Sequence, residues 1–138
     1  MTTSKTPSSP DFLQRWLLGW FPFWVYSGLV FESAVLPPRK IPHFLLHIND
    51  KVLHGTEYFI LVLIALRTFG KAKTCFLREQ AVWLALAYAS LFGILTELAQ
   101  LYVPGRACDF YDWLADFGGA SAGLLLAGFL TRKKNEIL

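Results

Sequence analysis

Four long apolar stretches, at about residues 16 to 36, 52 to 69, 81 to 103 and 109 to 131, set the terms for any fold this chain can adopt. A bilayer core of roughly 30 Å takes about 20 residues of helix, so each stretch has the length to cross one. The ionisable residues inside them are one-sided. Residues 16 to 31, 58 to 66, 81 to 96 and 117 to 131 hold no Asp, Glu, Lys, Arg or His, whereas Glu32, His54, Glu57, Glu97, Asp112 and Asp116 all fall toward the other ends. With neighbouring stretches antiparallel, these six share one layer. Ionisable groups at membrane depth are costly and mark a site, so this layer is where function is sought.

Of 138 residues, 54% are hydrophobic and only 17% charged, which is too apolar for a soluble domain of this size. The expectation is an all-α polytopic membrane protein: a four-transmembrane-helix bundle over residues 16–131, a tail at 1–15 rich in Ser, Thr and Pro, and a basic tail at 132–138. The first stretch is too long and aromatic-rich for a cleaved signal peptide. Lysine and arginine orient the bundle. Lys5, Arg15, Arg67, Lys71, Lys73, Arg78, Arg132, Lys133 and Lys134 would lie on one side, and Arg39, Lys40, Lys51 and Arg106 on the other. Both termini are therefore expected in the cytoplasm, with the ionisable layer facing outward. The net charge of +3 is spread over separate flanking segments, which excludes a nucleic-acid partner. Cys75 and Cys108 fall at opposite ends and cannot form a disulfide within one chain.

Trp16, Trp20 and Trp24 recur at helical spacing and read as a packing or interfacial stripe. Glu32 has a bland explanation as a snorkelling side chain above the helix stop at Pro37 and Pro38. In the second stretch Asp50, His54 and Glu57 share a face, overlapped by Lys51, His54 and Tyr58. Asn49 or Asp50 serves as an N-cap, which leaves His54 and Glu57 unexplained. Glu97 and Gln100 lie one turn apart on the third stretch. At about 1.5 Å per residue, Glu97 lies about 9 Å and Glu57 about 8 Å below the outer boundary, which makes them expected neighbours. The tight turn Pro104-Gly105-Arg106 holds Arg106 over the bundle mouth. Asp109 caps the fourth stretch with Asp112 nearby, and Asp116 is deeper. Gly119 and Gly123 form a ridge that admits a neighbouring helix, from this chain or from a second copy in an oligomer.

The order Asp50-Lys51, His54, Glu57-Tyr58, Glu97, Gln100, Pro104-Gly105-Arg106, Asp112 and a Gly-rich last helix resembles the VanZ-like family of small bacterial membrane proteins, over roughly residues 30 to 130. The resemblance implies four transmembrane helices, a multi-pass place in the bacterial inner membrane as part of the cell envelope and, by analogy with the founding member, a link to teicoplanin resistance. It does not supply a reaction. Two departures stand out: Gly55 follows the histidine where the family commonly has phenylalanine, and Asp116 stands where asparagine is frequent.

The helix N-termini expected at the outer face, with Lys51, His54 and Arg106, favour an anion. The leading expectation is a membrane-lipid partner: a phosphate-bearing lipid or lipid-linked envelope precursor, bound or processed there, with Arg106 on the phosphate. Asp50, Lys51, Tyr58, Gln100, Arg106, Asp109, Asp112 and Asp116 are the candidate ligand-binding residues. If the site is catalytic, His54, Glu57 and Glu97 are the acid/base candidates, although no nucleophile stands out. No cofactor motif is evident. His54, Glu57, Glu97 and Asp112 offer ligands to a divalent metal without matching a dedicated zinc motif. A proton- or ion-coupled carrier and a structural or partner-binding protein are the alternatives.

Overall fold

The computed structural model describes residues 16–38 and 49–137. The tail at 1–15 and the loop residues Arg39 and Lys40 lie outside the described residues. A π-helical turn at Trp16–Trp20 leads into α1 (Phe21–Val35), followed by α2 (Asp50–Gly70), a short α3 (Cys75–Glu79), α4 (Ala81–Gln100) and α5 (Phe110–Ile137). The architecture among the described residues is all-α, as expected.

The expected count of four membrane spans is corrected to three among the described residues. Asp50–Gly70, Ala81–Gln100 and Phe110–Lys133 are long and apolar enough to cross a membrane. The first apolar stretch is divided between the π turn and α1, and α1 has 15 residues. At about 1.5 Å per residue it reaches only about 22 Å, short of a roughly 30 Å core. Pro22 lies in the first turn of α1, where its missing N–H costs nothing, and Leu36 turns to extended geometry at the other end. The placement of both termini on one side required an even number of crossings and falls with the fourth span.

Small residues decide which faces meet. On α4, Ala81, Ala85, Ala89 and Gly93 recur every four residues, all buried, and the same stripe ends on Glu97. On α5, Asp112, Asp116 and Ala120 are buried at the same spacing, with Gly123 one turn beyond. These stripes clasp α2, whose His54, Tyr58, Leu61, Val62, Ala65, Thr68 and Phe69 are buried. The α2–α5 contact is the most extensive among the described residues. A Cβ on Gly119 would run into the carbonyl oxygen of Gly55, and one on Gly123 would come within 2.7 Å of Val62 Cγ1. The Gly119–Gly123 ridge thus admits α2 of the same chain, which accounts for it without a second copy.

α1 leans on this three-helix core. Phe23 packs against Phe69 and Tyr88 with ring centroids 5.6 and 4.8 Å apart. The Tyr88 hydroxyl donates to Ser27 Oγ at 2.8 Å, and Thr68 Oγ1 lies 3.1 Å from Gly19 O. The opposite surfaces of the helices carry exposed Trp83, Leu91, Leu125 and Phe129, suited to lipid. Cys75 and Cys108 are exposed and free.

Gly119→Ala places a methyl against backbone that no rotamer change can move, so it is expected to destabilise by about 1–3 kcal/mol or more. Gly118→Ala meets nothing within 4 Å and should be neutral or stabilising by up to about 1 kcal/mol. Thermal unfolding in detergent compares them, and equal tolerance of both changes would contradict the close α2–α5 crossing.

Candidate functional site

The polar layer forms where the N-termini of α2 and α5 meet the C-termini of α1 and α4. Asn49 caps α2, its side chain accepting the Lys51 N–H at 3.0 Å. Asp109 caps α5: its Oδ1 accepts the Tyr111 N–H at 2.8 Å and its carbonyl accepts from Asp112 and Trp113. Both expected caps are present. The Tyr111 N–H and the Lys51 ammonium together hold the Asp109 carboxyl below its ordinary range.

Three groups of side chains can be separated. At the entry, Lys51 Nζ binds Asp112 Oδ1 at 2.7 Å and Asp109 Oδ2 at 3.2 Å, and lies 5.7 Å from the centre of the Tyr111 ring. Lys51 is therefore spent on tying α2 to α5. Deeper, His54 Nδ1 lies 2.9 Å from Asp116 Oδ1, with both residues buried. Glu97 Oε2 accepts the Asp109 N–H at 2.8 Å, which joins the end of α4 to the start of α5. Glu97 Oε1, Asp116 Oδ2 and Gln100 Nε2 are buried without a hydrogen-bond partner among the described residues.

The third group lines a cavity of about 160 Å³, bounded by α1, α2, the end of α4 and the α4–α5 turn. Asp50, His54, Glu57, Tyr58, Gln100 and Arg106 all face it. Ser33 Oγ lies 2.8 Å from Val30 O and 3.1 Å from Glu57 Oε2, so its one hydrogen serves the carbonyl and the carboxylate between them. Thr96 Oγ1 lies 2.9 Å from both Gly93 O and Tyr58 Oη; since the threonine gives its hydrogen to the carbonyl, Tyr58 is the donor to Thr96. Gly105 has φ +86°, the left-handed conformation a glycine adopts without strain, and this turn brings Arg106 over the end of α1. There the guanidinium reaches Leu36 O at 3.4 Å and Ser33 O at 3.5 Å, two long hydrogen bonds to carbonyls at the end of α1. Among the described residues no carboxylate pairs with it.

Six candidate residues thus converge on one cavity, while Lys51, Asp109 and Asp112 form the ion cluster beside it. Glu57 and Glu97, expected as neighbours, have no hydrogen bond to each other: Glu57 faces the cavity, and Glu97 groups with His54 and Asp116. Ligand atoms of His54, Glu97 and Asp116 lie within 4.8 Å of one another, as do those of Asp50, His54 and Asp112. These two groups could coordinate a metal, and neither includes Glu57. Glu32 is exposed and lines no part of the cavity. Ser33 and Thr96 hold Glu57 and Tyr58 in place. The clue to Thr96 was its position beside Glu97 on the same turn; Ser33 carried no comparable signal.

Comparison with known proteins places the order of residues described above in a family. The family model described as VanZ/LLP1 matches residues 3–131. A Schizosaccharomyces pombe protein is 31% identical over 106 residues, which cover 74% of this chain and 59% of that protein. The chain therefore spans under two thirds of that relative's length. No solved structure matches. The chain is a multi-pass helical membrane protein and belongs to the VanZ/LLP1 family.

Proposed function

We propose that this protein binds a phosphate-bearing lipid in the cavity between α1, α2 and the α4–α5 turn. One observation carries the reading: two donor side chains, Arg106 and Gln100, face the same cavity without a strong acceptor of their own. A phosphate group offers acceptors to both, and to Arg106 bidentately. Asp50 and Glu57 on the same wall suit an amine carried by the headgroup. If the lipid is also processed, His54 and Glu57 are the acid/base pair that reaches it, since Glu97 does not line the cavity.

The polar end is proposed to face away from the cytoplasm in the inner membrane. Arg67, Lys71, Lys73, Arg78, Arg132 and Lys133 belong to the other end of the described helices, against Lys51 and Arg106 at this one. A relative in a yeast favours a phospholipid found in many membranes over a precursor specific to bacterial walls. A carrier is less well supported, because below Tyr58 the core is Leu61, Val62, Ala65, Ala85, Ala89 and Ala120.

Native mass spectrometry of the purified protein, with phosphatidylethanolamine, phosphatidylglycerol, a lipid-linked wall precursor and a phosphate-free diacylglycerol offered in turn, tests the reading. Loss of a charge-assisted contact of about 1.5–3 kcal/mol predicts that Arg106→Ala weakens retention of one phosphate-bearing lipid by roughly tenfold or more. Lys51→Ala, whose ammonium is engaged with α5, should retain that lipid. Equal retention by folded wild type and Arg106→Ala, or equal retention of diacylglycerol, contradicts it.

A further inference from the structure

We infer that His54, Glu97 and Asp116 form a binding site for a divalent transition-metal ion at the junction of α2, α4 and α5. His54 also lines the lipid cavity, but Glu97 and Asp116 do not, so the metal site adjoins the lipid reading without depending on it. Its basis is the state of the carboxylate oxygens. Glu97 is 3% exposed and Asp116 0%, and each has one oxygen satisfied, by the Asp109 N–H and by His54 Nδ1. The second oxygen of each, Glu97 Oε1 and Asp116 Oδ2, has no partner among the described residues.

Two orphan carboxylate oxygens beside one histidine in an apolar bundle are expensive. A single proton relieves one carboxylate, whereas a cation relieves both at once. One ligand atom from each residue lies within 4.8 Å of the others, a spacing that one ion can bridge. The backbone makes room for the arrangement: a Cβ on Gly93 would come within 3.0 Å of Asp116 Oδ2, so the glycine on the α4 stripe leaves space for that oxygen. One imidazole with two carboxylates is a donor set for zinc or manganese rather than for magnesium or calcium, which favour oxygen alone. The other grouping, Asp50, His54 and Asp112, fits less well, since Asp112 is engaged by Lys51 and Asp50 is exposed.

The test uses the full chain purified in detergent, stripped with chelator, and then offered Zn2+, Mn2+ or Mg2+. Metal content after desalting and the unfolding midpoint are both read. Close to one Zn2+ or Mn2+ per chain is expected, with a midpoint raised by several degrees because the ion would tie three helices together, and little response to Mg2+. Glu97→Gln and Asp116→Asn should each lower affinity at least tenfold, while Asp50→Asn and Arg106→Ala keep the metal. Should Glu97→Gln and Asp116→Asn both fail to fold, Co2+ absorption of wild type and Asp50→Asn decides. Visible bands of a nitrogen- and oxygen-ligated ion, displaced by Zn2+, support the site. Absence of those bands, no retained metal, or retention undiminished in folded Glu97→Gln and Asp116→Asn overturns it. Lipid retention lost in Arg106→Ala with the metal kept separates the two sites.

Discussion

The close approach of α2 and α5 at Gly55 and Gly119 is the constraint on which the rest of the molecule depends. A side chain on Gly119 would strike the backbone of Gly55, so the two helices meet there without an intervening side chain. Van der Waals packing of small residues is the main association force open to helices in lipid, where no hydrophobic drive operates between them. One residue before Gly55 and three before Gly119, the same crossing sets His54 against Asp116 at 2.9 Å. Backbone proximity thus determines which polar side chains can meet.

The polar layer then grows outward from that pair. Asp112, one turn above Asp116, meets Lys51 of α2, and Asp109 above it caps α5 while offering its N–H to Glu97. α4 is drawn into the layer by an alanine and glycine stripe that ends on the carboxylate. α1 closes the cavity from the side, with Ser33 on Glu57 and its terminal carbonyls under Arg106. The buried ionisable residues His54, Glu97, Asp112 and Asp116 are placed by the packing beneath them. Buried charges raise the cost of folding unless they are paired or neutralised, and this is why the unpartnered oxygens of Glu97 and Asp116 carry so much of the chemical interpretation.

Much of the site was legible in the sequence because one-sided charge in apolar helices leaves few arrangements. Asp50, His54, Glu57, Tyr58, Gln100 and Arg106 meet in one cavity, and Asn49 and Asp109 cap the helices that carry them. What the sequence concealed was pairing. Depth counting brought Glu57 and Glu97 to one level but could not say that they face different neighbours, because depth carries no information on azimuth. The four-residue spacing of Ala81, Ala85, Ala89, Gly93 and Glu97 did hold that information. Gly55 read only as a departure from the family's phenylalanine, whereas it is one half of a helix crossing, and only the register of α2 against α5 reveals its partner. The first apolar stretch misled on length alone: 21 residues of suitable composition do not form one long α-helix when the first five take a π turn.

A double-mutant cycle on His54 and Asp116, measured as reversible unfolding in detergent micelles, tests most directly whether the α2–α5 crossing creates a buried coupled pair. His54→Gln and Asp116→Asn should each destabilise the protein, and the double variant should lose less than their sum, with an interaction energy of at least about 1 kcal/mol. Additive losses would mean that the two side chains act independently, and would contradict the central place given to their contact.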